Sequence, residues 1–360
     1  MVASAASSWL PSISNTFDRV VYPAQQRSLA LSLGVGGRLL SQLLAPTQPP
    51  PSSHSVRVLR ERFDALIARD LENVKRGAYP RELLYQLPLA TYLARVPEAL
   101  SDVPRFLWRS YQGNSGDVPL RDDERYPDYY LRTFHWQTDG WLSSRSARLY
   151  DASVEFLFGG TADVMRRMAI PPITDHAATQ PRPLRVLDIG CGTGRFLRQL
   201  ARALPGARLY GLDLSKHYLA EARRHFDPEV DVSFVVENGE TLPFAPGFFD
   251  VVTSVFMFHE LPKPVRRRIT REAVRVLAPG GRLVLCDSAQ MSDSGDIEDI
   301  LLSFPRSYHE PFYRGYLTDD LAAMMRGCGL TVDSSESHLV SKVVVARKRS
   351  TGKTRSRSTH

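Results

Sequence analysis

Two carboxylates stand at the ends of two apolar runs, and a glycine-rich bend follows the first of them. Asp188 lies in Val186-Leu187-Asp188-Ile189, which leads directly into Gly190-Cys191-Gly192-Thr193-Gly194. Asp213 closes the run Ala207-Arg208-Leu209-Tyr210-Gly211-Leu212, roughly twenty residues beyond the glycines. A helical stripe of Phe196, Leu197, Leu200 and Leu204 starts right after the bend. Strand, glycine turn and helix make a nucleotide-binding unit, because glycines let the backbone approach a ligand closely. A dinucleotide fingerprint reads G-x-G-x-x-G, and here the third glycine comes one residue early. Asp188 would also repel a pyrophosphate at that turn. It suits a cation instead. The pair therefore points to a ligand with an amino-acid ammonium at one end and a nucleoside at the other, the ribose hydroxyls on Asp213. The plain alternative for Asp213 is a surface acid at a strand end.

These residues need a sheet to hold them. Strands are expected at 184–189, 207–212, 231–236, 248–254, 281–287, 330–336 and 340–346, with helical stretches between most of them. That alternation predicts an α/β fold with a doubly wound, mostly parallel seven-stranded sheet. The last two strands are separated only by Ser335 to His338 and should form an antiparallel hairpin. Two proline-rich linkers, Pro46–Ser55 and Pro171–Pro183, divide the chain. The expected organisation is a loosely ordered extension over 1–56, a helical lid or side domain over 57–170, the nucleotide fold over 183–346 and a disordered basic tail over 347–360.

From Leu184 to about Val345 the chain resembles class I S-adenosylmethionine-dependent methyltransferases, of the branch acting on small molecules and quinone-like lipids. Besides the acids and glycines, the resemblance rests on Val236-Glu237-Asn238-Gly239-Glu240-Thr241-Leu242-Pro243-Phe244, on Phe249-Asp250-Val251-Val252-Thr253-Ser254 and on Leu277-Ala278-Pro279-Gly280-Gly281-Arg282-Leu283-Val284-Leu285. It implies a Rossmann-like sheet with an antiparallel last strand and S-adenosyl-L-methionine as cofactor. It implies cofactor contacts for Asp188, Gly190, Gly192, Gly194, Asp213, Asn238, Gly239 and Phe256. The family usually has Asp where this chain has Asn238, whose amide carbonyl can still accept from the adenine amino group.

Methyl transfer is an in-line displacement at a sulfonium methyl, so the protein has to align the acceptor and, for an acidic nucleophile, take a proton. The fourth strand runs into His259 and Glu260 just before Pro262. His259 is the expected base, with Glu260 orienting it or taking the proton itself; the alternative is that His259 only packs against the following helix. Tyr129 to Ser143 is dense in aromatic and polar groups, which suits a lid. His135, Asp139 and Trp141 are its expected pocket residues. Tyr308, His309 and Tyr313 form a second aromatic cluster that either faces the substrate or packs against the lid.

Charge narrows the partners. The formal net charge is +7, of which residues 347–360 hold +6 and the first 57 residues +3, leaving −2 for the body between them. A near-neutral body argues against a broad nucleic-acid groove. An RNA or protein methyltransferase that docks through the basic tail stays as the alternative, weakened because Ser254-Val255-Phe256-Met257 stands where base methylases often carry an N/D-P-P-Y motif. A non-enzymatic scaffold has no need for both acids. The chain holds no G-x-S-x-G elbow and no G-x-x-x-x-G-K-[ST] loop. Cys191, Cys286 and Cys328 form no C-x-x-C pair, so neither a metal nor a disulfide framework is expected. Residues 28–45 are too short and too interrupted for a span and read as an interfacial or docked helix, with possible peripheral membrane contact. The expected location is cytoplasmic, although the serine- and alanine-rich start also fits a transit peptide.

Overall fold

A computed structural model describes residues 10–44, 49–101, 126–136 and 139–350, together with Pro104 and Trp108. The region before the nucleotide fold is helical: α1 Leu10–Leu44, α2 Ser53–Lys75, α3 Leu89–Leu100, α4 Ser144–Leu157, α5 Ala162–Arg167 and α6 Pro171–Ala177. Ser52 caps α2, its hydroxyl accepting from the Ser55 N–H at 3.1 Å, and Ser143 caps α4 in the same way through Ser146 at 3.0 Å. Leu10–Leu44 forms one helix within the start that the sequence reads as loosely ordered over 1–56, and it takes in most of the docked or interfacial helix read over 28–45.

The physical reason is a set of buried polar anchors that composition does not reveal. Asp18 of α1 accepts from the Arg81 guanidinium at 2.5 and 2.6 Å and from the Tyr85 hydroxyl at 2.6 Å. The Arg81 hydrogen bond holds its carboxyl below the usual range. Further along α1, Tyr22 is fully buried and donates to Asp70 of α2, which also receives Tyr79 and the Arg167 guanidinium. Near Ala30 the helix lies against Gly159, where an added Cβ would sit 3.5 Å from the Ala30 backbone. A carboxylate as buried as Asp70 is tolerated only with its partners in place. Asp70→Asn is expected to lower unfolding free energy by about 3–5 kcal/mol, read as a shift of the urea midpoint at unchanged slope. Among the described residues no helix is long and apolar enough to cross a membrane.

The nucleotide fold follows. Its strands are β1 Arg185–Ile189, β2 Arg208–Asp213, β3 Val232–Val236, β4 Phe249–Val255, β5 Leu277–Ser288, β6 Leu330–His338 and β7 Ser341–Lys348. They lie in the order β3-β2-β1-β4-β5-β7-β6. β1 to β5 are parallel, and β7 is antiparallel to both β5 and β6. This is the doubly wound sheet with an antiparallel last strand that the sequence predicts. The strand continues two residues into the expected tail. Arg347 pairs with Asp333 at 2.9 Å, and the Lys348 ammonium donates to the carbonyls of Val274 and Leu277 at 2.7 Å. The remainder of that tail, 351–360, lies outside the described residues.

The longer helices of this part are α7 Arg195–Ala203, α8 Lys216–Arg223, α9 Lys263–Val276, α10 Glu298–Ser307, α11 Tyr313–Leu317 and α12 Leu321–Gly327. Alternate strand residues bury on opposite faces. Val186, Val251, Val284 and Val345 pack on one face with Leu197 and Leu200 of α7 and with Met165, Ile170 and Ile173. Leu187, Val252, Leu285 and Val344 pack on the other with Ile269 and Ala273 of α9 and Met325 of α12. The helical region therefore contributes to the core of the sheet and is more than a satellite: each of its large side chains there adds about 1.5–3 kcal/mol of burial.

Candidate functional site

In register, Asp188 pairs with Gly211 of β2 and Thr253 of β4, and Ile189 pairs with Leu212. From β1 the chain winds outward through β2 to β3 and then crosses back to place β4 on the other side of β1, so a crevice opens at the carboxyl ends of the strands. The glycine bend is fastened there by the Leu212 carbonyl, which accepts from the N–H groups of Gly190 at 2.8 Å and Cys191 at 3.0 Å. Gly190 has a φ of +71°, and a Cβ on it would lie 2.3 Å from the Met257 sulfur. Only glycine fits.

Both acids face this crevice. Asp188 is buried and accepts from the Thr253 hydroxyl at 2.7 Å; burial pushes its carboxyl up to about 7. Asp213 accepts from the N–H groups of Gly192 at 2.9 Å and Ser215 at 2.8 Å, and burial raises it to about 6 in spite of those bonds. Each of its oxygens keeps acceptor capacity for a further donor. The cavity they line encloses about 1030 Å³, its mouth included, and continues past Gly239 and Asn238 to Phe256, Met257 and Glu260. Asn238 turns its side-chain oxygen onto the Glu240 N–H at 2.9 Å. Phe256 holds a φ of +54°, uncommon for a residue with a side chain, and stacks on Phe158.

The wall opposite the sheet comes from the helical region. Tyr130, Phe134, Trp141 and Tyr150 line the cavity with Tyr218 of α8. Trp141 meets Phe134, Tyr150 and Tyr218 at ring separations of 5.5–5.6 Å. Three bonds sew this wall to the sheet side: Ser215 donates to the Trp141 carbonyl at 2.6 Å, Thr193 to Asp151 at 2.6 Å, and the hydroxyls of Ser146 and Tyr218 meet at 2.8 Å. Arg166 and Arg195 also line the cavity, both paired with Asp163.

A polar cluster closes the far end. His259 is buried, its Nδ1 2.7 Å from Asp287, whose other oxygen accepts the N–H groups of Met257 and Phe258. Burial works against a charged imidazole, yet the Asp287 carboxylate outweighs it and raises His259 to about 9. Its Nε2 lies 3.9 Å from Glu260. From the opposite wall His135 brings its Nε2 to 3.6 Å from Glu260 and 3.2 Å from Glu310. His135 holds a φ of +51°, and its N–H donates to the His309 carbonyl at 3.2 Å.

The residues singled out from sequence fall into two layers. Asp188, Gly190, Gly192, Asp213, Asn238, Gly239, Phe256, Glu260 and Trp141 line the cavity. Gly194 does not; with a φ of +71° it starts α7, where a Cβ would press on Phe226 at 2.9 Å. His259 and His135 stand behind or beside Glu260 and are not among the lining residues, nor are Asp139, Tyr308, His309 and Tyr313. Tyr308 and Tyr313 pack on Phe304, and Tyr313 also meets the edge of His259. Sequence reasoning missed Arg166, Arg195, Asp287 and Glu310. No motif marks them. Of the four, only Glu310 lies in a stretch, 308–316, whose density of aromatic and polar groups gave a hint.

Comparison with known proteins fits this geometry. Residues 186–281 match the family model described as a methyltransferase domain. This segment is a methyltransferase domain. The chain is 35% identical over 147 residues to a demethylmenaquinone methyltransferase from Thermus thermophilus, covering 41% of this chain and 64% of that protein. It is 36% identical over 115 residues to a 2-methyl-6-phytyl-1,4-hydroquinone methyltransferase from Synechocystis, covering 32% and 35%. It is 32% identical over 157 residues to a ubiquinone biosynthesis O-methyltransferase from Xanthomonas euvesicatoria, covering 41% and 63%. The chain thus spans less than two thirds of the length of each of these relatives. Most of the helical wall, including Tyr130, Phe134, Trp141 and Tyr150, lies before residue 186, where the methyltransferase domain match begins.

Proposed function

We propose that this chain transfers the methyl group of S-adenosylmethionine to a small, largely apolar or aromatic acceptor of the quinone or hydroquinone kind. One observation carries the reading: a buried carboxylate, Asp188, and a half-buried one, Asp213, flank a glycine bend in a cavity whose opposite wall is aromatic. The names of the relatives above support the acceptor class.

The residues present fit the cofactor. Asp188, buried with a single hydroxyl for a partner, suits the ammonium of the methionine part. Arg166 and Arg195 supply positive charge for its carboxylate, Asp213 retains acceptor sites for two ribose hydroxyls, and Asn238 and Gly239 stand where the adenine would lie. When bound, S-adenosylmethionine supplies an electrophilic sulfonium methyl. The protein aligns the acceptor against it. Tyr130, Phe134, Trp141 and Tyr150 hold a flat ring and exclude water. Glu260 is the carboxylate at the acceptor's polar end, where an acidic acceptor loses its proton. His259 is then a positioning residue: with Asp287 on Nδ1, it steadies Glu260 from behind.

The test is to incubate the full chain with methyl-labelled S-adenosylmethionine and fractionated cell extract, then identify the labelled product. Label in an apolar small molecule is expected; label confined to RNA or protein would contradict the reading. Cofactor binding should also depend on pH. Asp188 has to be ionised to hold an ammonium, and its raised value near 7 means that affinity falls as pH drops. Below that value the loss approaches about tenfold per pH unit. Titration calorimetry from about pH 8 to about pH 5 checks this. The stability of the free protein runs the other way. A carboxyl that holds its proton more tightly when folded stabilises the fold at low pH, and this contribution is lost as pH rises from the unfolded value near 4 through about 7.

A further inference from the structure

Glu310 is the least explained charged group in the molecule. Its side chain has no exposed surface, yet neither carboxylate oxygen receives a hydrogen bond. A buried carboxylate without donors is costly unless a cation faces it. The cation-bearing group beside it is His135, at 3.2 Å, and His135 also faces Glu260 at 3.6 Å. One ligand atom from each of the three residues lies within 4.8 Å of the others. Two carboxylates therefore stand around one imidazole, Glu310 without exposed surface and the other two residues partly exposed, Glu260 toward the cavity.

We propose that His135, Glu260 and Glu310 form a binding site for one divalent first-row transition-metal ion, with its open position toward the acceptor end of the cavity. The donor set is one nitrogen and two carboxylate oxygens. With a neutral imidazole it carries two negative charges, which a divalent ion balances. Imidazole and carboxylate together suit Zn²⁺ or Mn²⁺ better than the all-oxygen preference of Ca²⁺ or Mg²⁺. Bonds of about 2.0–2.2 Å place neighbouring ligand atoms roughly 3–3.5 Å apart; the two imidazole–carboxylate separations, 3.2 and 3.6 Å, are of that size, and the two carboxylate oxygens lie within 4.8 Å of each other, so the site closes around an ion by a small inward shift of one carboxylate. Three protein ligands leave a position free for water or a substrate oxygen. Glu260 lines the cavity, so that position faces the place assigned to the acceptor.

The three ligands come from separate parts of the chain: His135 from the segment before the methyltransferase domain, Glu260 from the loop after β4, and Glu310 from the turn before α11. One backbone contact ties two of these segments together: the His135 N–H donates to the His309 carbonyl, next to Glu310. A sequence scan for metal spacing finds nothing because no two ligands are near neighbours in the chain. The inference rests on the proposed function for the role of the free position and changes one part of it: with the ion bound, Glu260 holds the ion, and an acceptor oxygen in the free position loses its proton more readily because the ion draws its electrons. Ion binding itself is independent of it.

The test uses the full chain, stripped with a chelator and titrated separately with Zn²⁺ and Mn²⁺, by calorimetry for both ions and by loss of the free Mn²⁺ paramagnetic signal. One ion per chain is expected. Glu310→Gln and His135→Gln should each weaken binding about 100-fold or more while the circular dichroism spectrum and S-adenosylmethionine affinity are retained. Two variants are used so that misfolding of one does not decide the matter. Absence of stoichiometric binding, or binding that both folded variants leave unchanged, would overturn the site. Ion binding without S-adenosylmethionine binding would sustain the site and sink the proposed function; the reverse result would do the opposite.

Discussion

Asp213→Ala and Asp188→Ala are each expected to weaken S-adenosylmethionine binding about 100-fold without unfolding the protein. Charge-assisted hydrogen bonds are worth about 1.5–3 kcal/mol each, and Asp213 has capacity for two beyond the Gly192 and Ser215 N–H groups it already serves. Asp188 is a sharper case. Its carboxyl is pushed up to about 7 because burial disfavours the charge, and its one side-chain partner is Thr253. In the free protein the ionised group costs stability, so alanine there should leave the melting temperature unchanged or raised while removing the counter-charge for an ammonium. Calorimetry against the cofactor, paired with thermal melts, reads both quantities. Unchanged affinity in both variants would remove the assignment.

The second large effect is expected at Glu260. Glu260→Gln keeps the shape of the side chain and removes its charge from the cavity wall. Turnover should fall about 10²–10⁴-fold, the range for losing a positioned acid–base group. Cofactor affinity should change less, because Asp188 and Asp213, which carry the proposed cofactor contacts, are left in place. His259→Ala should slow turnover by a smaller factor, since the imidazole acts through Glu260, 3.9 Å away, and does not line the cavity. Single-turnover rates at saturating cofactor separate the two. Equal losses for both variants would mean that His259 acts directly.

The sheet was legible because its signals are local. Alternating and continuous apolar runs, the glycine bend and the two strand-end acids place β1 to β7 within a few residues, and burial on both faces follows from them. The edges moved for reasons of side-chain chemistry. β7 runs on to Lys348 because a lysine that reads as tail charge instead donates to carbonyls at the end of α9 and the start of β5. The first helix was legible only in its second half, read as a helix over 28–45. The serines and alanines around its start suggest a loose segment, whereas contacts of single polar residues, Asp18 and Tyr22, with partners more than forty residues away hold it in place.

The site divides in the same way. The cofactor end follows a spaced motif on consecutive strands and can be read residue by residue. The acceptor end is assembled from three distant segments, so His135, Glu260 and Glu310 carry no shared pattern, and Asp287 looks like any acid at a strand end. His259 illustrates the difference. Residue type and position make it the natural base, whereas the structure sets it outside the cavity lining, behind Glu260, with Asp287 2.7 Å from Nδ1.

The central claim is that one sulfonium nucleoside spans the crevice between the two acids. The most direct measurement is a crystal of the full chain soaked with S-adenosylmethionine or its demethylated product. The account predicts density with ribose hydroxyls on Asp213 and the amino-acid end beside Asp188. An empty crevice at saturating ligand, or preferential occupation by a nicotinamide dinucleotide, would contradict it.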